Sequence, residues 1–375
     1  MMADSPATVK CLVWDLDNTL WQGTLLESSE VALSDEIRAV ITTLDERGIL
    51  QSVASRNDYD LACKRLAELG VAEYFVLPEI GWGPKSESVR RIADGLGFAH
   101  KAIAFVDDQP AERAEVAFQL PEVRCYTHED VLRLTDLPEF TPAVVTVDSR
   151  RRREMYQANF RRSAARDGFT GADEGFLRSL ELAMTIRRAD EDQLARVEEL
   201  TLRTSQMNAT GVHYPDTVLR EMCHDPGHQV LVATLSDRFG THGAVGVILL
   251  ARHPDVWQLK LLATSCRVVP YGAGTVIMNW LIDQAHRAGV HLAADFRPTN
   301  RNRMMEIAYR FAGLENAECD CFTSMPGPDG GDVQRLHVEP GPRQASEVVR
   351  LEADDLAGAH AVAWCPGAVS ACGPT

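Results

Sequence analysis

The sequence predicts two units in series, a doubly wound parallel α/β sheet followed by an α+β domain. Three observations carry this prediction. Over about the first 130 residues, short apolar runs alternate with amphipathic helical stretches, the rhythm of strand–helix–strand crossovers. Asp15, Ser55 and Asp107 each stand where an apolar run stops, and ligands in such sheets sit beyond the carboxyl ends of the strands. From Leu182 onward the rhythm changes, and helices cluster between runs of antiparallel-type strands.

Taken in order, "VKCLVWD" is an apolar strand ending at Asp15. "SDEIRAVITTLDERG" is an amphipathic helix with Ser34 as N-cap and Gly48 as its stop. "ILQSVAS" is a second buried strand, and helix "DYDLACKRLAELG" follows it. "AEYFVLPE" (strand), "SESVRRIADGLG" (helix), "KAIAFVDD" (strand) and "PAERAEVAFQL" (helix) continue the alternation. "SRRRREMYQANFRRSAARDGF" is basic and helical: either a solvated connector or, through Arg150 to Arg153, a docking patch for an acidic partner. The second unit opens with strand "LAMTIRRA" and a helix capped by Asp190. Strands "QVLVATLSD", "GAVGVILLARH" and "VWQLKLLATSC" come next, then the turn "RVVPYGAG" and helix "TVIMNWLIDQAHRAG". "HLAADFRP" and helix "NRNRMMEIAYRFAG" close it. Past Leu336 the chain is rich in Pro, Gly, Ala and Ser, so part of this tail is expected to be mobile. The expected organisation is residues 1–135, a connector 136–180, a second domain 181–335 and a tail 336–375.

Composition narrows the function classes. A formal charge of −16 disfavours nucleic acid and anionic membrane as partners, because both attract basic surfaces. No run approaches the roughly 20 apolar residues of a membrane span, and "MMADSPATVK" has no apolar signal core, so a cytoplasmic protein is expected. The nine cysteines follow no disulfide framework. Cys319 and Cys321 form a lone C-x-C without the second pair that metal-site spacings show, which is little metal signal, and most of the nine read as buried thiols.

The first candidate site is built from strand ends. Asp15 and Asp17, at i and i+2, point to the same side of a strand. One carboxylate can attack phosphorus and become an acyl phosphate, while the other protonates the leaving oxygen and then activates water. Two carboxylates so close call for a cation, and Mg²⁺ held by Asp15, Asp17 and Asp108 supplies it. Ser55 can bond a phosphoryl oxygen, Lys85 can neutralise charge, and Asp107 can anchor the lysine. By itself D-x-D-x-T also fits an Asx-turn; Ser, Lys and Asp-Asp following in order at strand ends favour chemistry.

The second candidate site centres on "SCRVVPYGAG". Amides at this strand–turn–helix junction can hold an anion or the amide-rich arm of a pantetheine, with Arg267, Gly272 and Gly274 as the binding residues. Cys266 at its mouth is either a buried strand-end thiol or a nucleophile. His242 as base and Asn300 or Asn302 as orienter would complete a Cys–His–Asn set.

"DLDNT", "ASRN", the Gly-rich turn before Lys85 and "VDDQPAER" resemble the four motifs of the haloacid dehalogenase-like phosphatase superfamily, whose core is Rossmann-like. The resemblance implies Asp15 as nucleophile, Asp17 as acid/base, Asp108 as Mg²⁺ ligand and Asp107 as the residue positioning Lys85. It also places Thr19, Arg56 and Asn57 among the phosphate-binding residues. The intervals between these motifs leave no room for a sizeable cap domain, which implies a large or carrier-bound substrate. "TNRNRMMEIAYRFAGLE" resembles the last helix of acetyltransferase-like (GNAT) folds, although Arg267 and Gly272 depart from the usual pyrophosphate loop. In combination, from about Val9 to Asn316, with "VWDLDNTLW", "DRFG" and "SCRV", the chain resembles the FkbH-like family. Membership would imply loading of a glyceryl unit from 1,3-bisphosphoglycerate onto the phosphopantetheine of an acyl carrier protein for polyketide extender units or tetronates. The competing readings are a plain Mg²⁺-dependent phosphomonoesterase, a non-catalytic module that recruits carrier proteins, and an acetyltransferase using coenzyme A.

Overall fold

The computed structural model describes residues 8–27, 30–204, 206–327 and 332–358. The chain divides into two compact units, residues 1–160 and 161–375.

In the first unit, strands β1 (Cys11–Trp14), β2 (Leu50–Ser55), β3 (Glu79–Ile80), β4 (Ile103–Asp107) and β5 (Arg124–Thr127) form one parallel sheet in the order β3-β2-β1-β4-β5. Helices α1 (Asp35–Glu46), α2 (Tyr59–Glu68), α3 (Lys85–Leu96) and α4 (Pro110–Gln119) cross between them. Cores lie on both faces of this sheet, which is why β1, β2 and β4 are buried throughout and read as continuous apolar runs. Helix α1 starts where expected, with Ser34 Oγ accepting from Ile37 N at 3.2 Å. Gly48 follows it in the left-handed region (φ 71°).

One sequence expectation fails here, and one strand has no counterpart in the sequence reading. "AEYFVLPE" yields a short 3₁₀ turn and only the two residues of β3, since Pro78 withholds a ladder donor. The half-buried edge strand β5 lacks the fully apolar character that marked the others. Residues 136–160 belong to the first unit and 161–180 to the second, so 136–180 is not a separate piece. After the short helix α5 (Val147–Arg150), the first part of α6 (Arg152–Asp167) is tied to the first unit by its own arginines. Arg152 donates to Gly48 O at 2.7 Å, and Arg153 pairs with Asp45 at 2.9 Å. Half of the four-arginine run is thus held by the fold, because acidic and carbonyl partners lie within reach.

The second unit begins with α7 (Asp173–Ser179), β6 (Leu182–Arg188), α8 (Glu191–Arg203), α9 (Asp216–His224), β7 (His228–Asp237), β8 (Gly240–Arg252) and β9 (Val256–Thr264). It continues with α10 (Ala273–Ala288), β10 (His291–Phe296), α11 (Arg303–Phe311), β11 (Gln334–Val338) and β12 (Val349–Ala353). Its seven-stranded sheet runs β11-β10-β9-β8-β7-β6-β12. Strands β6 to β9 are antiparallel neighbours, whereas β9–β10 and β6–β12 pair in parallel. Asp190 caps α8 in a reciprocal box with Gln193. The tail expectation is corrected: residues 334–338 and 349–353 are strands, because Val349 and Leu351 extend the sheet from the edge of β6. The part of that tail expected to be mobile that spans residues 359–375 lies outside the described residues.

Strands β9 and β10 pair only over Val256–Leu259. Beyond that point Met207–Ala209 runs along the freed edge of β9: Thr264 N donates to Met207 O (2.8 Å) and Ala209 N to Leu262 O (3.0 Å).

Candidate functional site

Strand β1 delivers Asp15 to the carboxyl edge of the parallel sheet, where its amide still bonds Val106 O at 2.9 Å. The chain then folds back, with Leu16 O accepting from the amides of Thr19, Leu20 and Trp21. Asn18 takes the left-handed region (φ 54°), which asparagine tolerates better than most residues. This turn fixes Asp17. Its Oδ1 accepts from Trp21 Nε1 (2.8 Å) and Leu25 N (3.1 Å), and its Oδ2 from Asn57 Nδ2 (3.0 Å).

Lys85, the first residue of α3, is buried and reaches back under Asp15. Its Nζ stands 2.7 Å from Asp15 Oδ1, 2.5 Å from Asp107 Oδ2 and 2.5 Å from Glu112 Oε2. Glu112 also pairs with Arg56 at 2.9 Å. Thr19 Oγ1 accepts from Asp108 N at 2.9 Å, so it shapes the cradle around Asp108. Ser55 is buried at the end of β2, and its hydroxyl has no hydrogen-bond partner among the described residues.

The electrostatics are unbalanced. Asp15, Asp107 and Glu112 converge on one ammonium, that of Lys85, with Asp108 as a further carboxylate beside Asp15 and Asp107. Burial pushes the Asp15 carboxyl up to about 7; neighbouring Asp107 adds to this and Lys85 opposes it. Asp107 is also raised, chiefly by burial. Burial alone would lower Lys85, but Asp15 and Asp107 overcome it and hold the ammonium charged.

A divalent cation fits this place. Oxygens of Asp15, Asp107 and Asp108 lie within 4.8 Å of one another, and Asp108 Oδ1 is buried without a hydrogen-bond partner among the described residues. An all-oxygen donor set suits Mg²⁺. Asp15 and Asp108 are thus in the expected metal cluster, but the carboxylate of Asp17 is outside it. Asp107 stands in its place in that cluster, while the Asp17 oxygens accept from Trp21, Leu25 and Asn57. Glu112 had no assigned role in the sequence reading. The signal lay within "VDDQPAER", five residues beyond Asp107 and in the first turn of α4.

In the second unit Cys266 is exposed at the start of a 3₁₀ turn after β9, not a buried thiol. His242 lies near the start of β8, the strand whose Val245 O accepts from Ser265 N at 2.8 Å, so both residues sit at one end of the sheet. No hydrogen bond joins Cys266 to His242 among the described residues. His242 Nε2 instead meets Asp237 Oδ2 at 3.1 Å, and its ring packs edge-on against Tyr271. Arg162 pairs with the same Asp237 oxygen at 2.5 Å. Although burial pushes Asp237 up, hydrogen bonds from His242 and Arg162 hold it well below the usual carboxylate range.

The asparagines do not take the orienting role. Asn302 Nδ2 donates to the carbonyls of Asn208, Ala209 and Arg297, and its Oδ1 accepts from Thr299 N. Asn300 is exposed and makes no hydrogen bond among the described residues. The residue missed is Asp237, which lay in "DRFG". Arg267 is exposed with its Nε on Ser265 Oγ at 3.3 Å. Gly272 (φ 70°) leads into α10, and a side chain at Gly272 or Gly274 would meet nothing within 4 Å, so this junction is open. A groove of about 1130 Å³ runs from Val269–Gly272 along α10, past Asn279 and Trp280, to Val348–Leu351.

No protein-family model and no curated protein matches the sequence. Solved structures do. The N-terminal, phosphatase-domain part of a Bacteroides fragilis protein, crystallised with Mg, is 26% identical over 36% of this chain, with a TM-score of 0.32. The match spans 42% of that chain. The ribosomal-protein-S18-alanine N-acetyltransferase of Escherichia coli is 17% identical over 44% of this chain and 97% of its own, with a TM-score of 0.31. A haloacid dehalogenase-superfamily hydrolase of Ehrlichia chaffeensis is 14% identical over 33% of this chain and 88% of its own, with a TM-score of 0.28. Scores this low leave the chemistry to be read from the side chains above. No helix among the described residues is long and apolar enough to cross a membrane.

Proposed function

We propose that the protein is a two-site enzyme that removes phosphate at Asp15 and handles an acyl group at Cys266. Its substrate would be 1,3-bisphosphoglycerate, and its product a glyceryl unit loaded on the phosphopantetheine of an acyl carrier protein, for a polyketide extender unit or a tetronate. The observation that carries the phosphatase half is the buried Asp15–Lys85–Asp107–Glu112 group beside the unpartnered Asp108 oxygen. Asp15 Oδ attacks phosphorus and the alkoxide departs with a proton from Asp17. Asp17 then takes a proton from water as that water opens the aspartyl phosphate. Three donors fix Asp17 for this work and leave Oδ2 a free lone pair. Lys85 and the Ser55 hydroxyl meet the phosphoryl oxygens. Bound at Asp15 and Asp108, Mg²⁺ would neutralise phosphoryl and carboxylate charge.

At the second site, Cys266 loses its proton to His242, attacks the acyl phosphate carbon and expels inorganic phosphate, leaving a thioester. The carrier's pantetheine thiol then takes the acyl group in a nearly isoenergetic exchange that proximity favours. Asp237, anchored by Arg162, orients His242. The edge of β9 at Leu262–Thr264 is already paired with Met207–Ala209, so the arm is assigned to the open Gly272 junction and the groove beyond it.

An acid-quenched trap with labelled substrate tests this route. Cys266→Ala should lose the covalent glyceryl species, and Asp15→Asn should leave that species phosphorylated. Carrier loading by Cys266→Ala at the normal rate would replace the covalent route with direct transfer. The second reading, a plain Mg²⁺-dependent phosphomonoesterase, is favoured by the lack of a hydrogen bond between Cys266 and His242. Phosphate release that ignores the carrier would support it.

A further inference from the structure

We infer that the second unit carries a structural zinc site formed by His291, Cys319, Cys321 and His337. Each offers one ligand atom, and these atoms all lie within 4.8 Å of one another. His291 Nδ1 is 2.9 Å from His337 Nε2 and 3.4 Å from Cys319 Sγ. A tetrahedral zinc with bonds of about 2.3 Å to sulfur and about 2.0–2.1 Å to nitrogen sets its ligand atoms roughly 3.3–3.8 Å apart. The side chains need only small shifts to reach that geometry.

Three separate pieces of chain supply the ligands. His291 opens β10 and His337 lies in β11, where it pairs with Ala293. Side chains alternate along a strand, so His291, Ala293 and His337 share one face of the sheet. Cys319 and Cys321 come from a 3₁₀ turn that covers this face, packing Cys321 and Met325 on Val256 and Ala293. His337 is further pinned by paired backbone bonds with Glu315 at 2.9 and 2.7 Å. Without a metal, His291 Nδ1 has one proton or one lone pair to offer two neighbours, the His337 nitrogen and the Cys319 sulfur.

Two sulfurs and two imidazoles in a tetrahedral set select zinc among common divalent metals. On binding, both thiols release their protons to solvent, and two thiolates with two neutral imidazoles leave the site without net charge. That suits a place where Cys321 and His337 are buried. Four protein ligands leave no open position, so the metal's role is to clamp the turn 319–324 onto the β10–β11 edge rather than to do chemistry.

Metal analysis of the full-length protein, purified untagged from zinc-supplemented medium, tests this. About one zinc per chain is expected. The double variant Cys319→Ser, Cys321→Ser should lose it, while Cys266→Ser and Asp15→Asn should keep it. Because the double variant can fail to fold, cobalt exchange into the wild-type protein gives an independent reading. Intense visible bands of tetrahedral cobalt with thiolate-to-metal charge transfer are expected. Zinc-free protein whose cobalt form lacks those bands would overturn the site. So would wild-type protein that keeps Cys319 and Cys321 reduced and takes up no zinc when it is added.

Discussion

Lys85 decides whether the acid cluster can be buried at all. One ammonium serves three carboxylates that are each less than a tenth exposed. Lys85→Met should therefore abolish phosphate release and destabilise the metal-free protein by about 3–5 kcal/mol, because it leaves buried charges uncompensated. Denaturant unfolding with and without Mg²⁺ checks this, and added Mg²⁺ should recover part of the loss. Asp17→Asn keeps the turn but removes the proposed proton shuttle, and a fall in turnover of about 10²–10⁴-fold is expected. Asp237 makes the corresponding prediction in the second unit. Its folded-state pKa lies below the unfolded value of about 3.9, so its stabilisation is complete above about pH 4 and fades as pH falls towards the folded value. Asp237→Asn should accordingly destabilise the protein at neutral pH, with the difference from wild type shrinking in acid melts.

At the scale of elements, Gly48 is where two constraints meet. It holds a left-handed φ after α1, and an added Cβ would come within 2.4 Å of Ser149 O on α5. Gly48→Ala should cost more than the roughly 1–2 kcal/mol of the backbone strain alone, read as a drop in melting temperature. How far the sequence was legible follows the same logic. Helix α1, with Ser34 before it and Gly48 after it, could be read because caps are local chemistry. The buried strands β1, β2 and β4 could be read because apolar runs between helices have few other solutions. Strand β12 could not be read from its surroundings, since its place beside β6 is fixed by a long-range pairing between Val349 and Leu182. Ending the chain before Val349 should expose the edge of β6 and lower stability. Site residues divide in the same way. Asp15, Lys85 and Asp107 stand in recognisable local settings, but Glu112 and Asp237 owe their roles to what the fold brings opposite them, as Cys319 and Cys321 owe theirs to two histidines remote in sequence.

At the scale of the molecule, the proposed function gives each unit one half of a reaction on a doubly phosphorylated three-carbon acid. The acidic cluster suits a cation that can receive a phosphoryl group, and an exposed cysteine at the same end of the sheet as an oriented histidine is the proposed acyl site. The claim that both halves act on one substrate is tested most directly by intact-protein mass spectrometry. The mixture holds the protein, 1,3-bisphosphoglycerate, Mg²⁺ and a pantetheinylated carrier protein. The carrier should gain the mass of a glyceryl group. A carrier left unmodified while phosphate accumulates would contradict the claim, as would a carrier that ends with phosphoglyceryl.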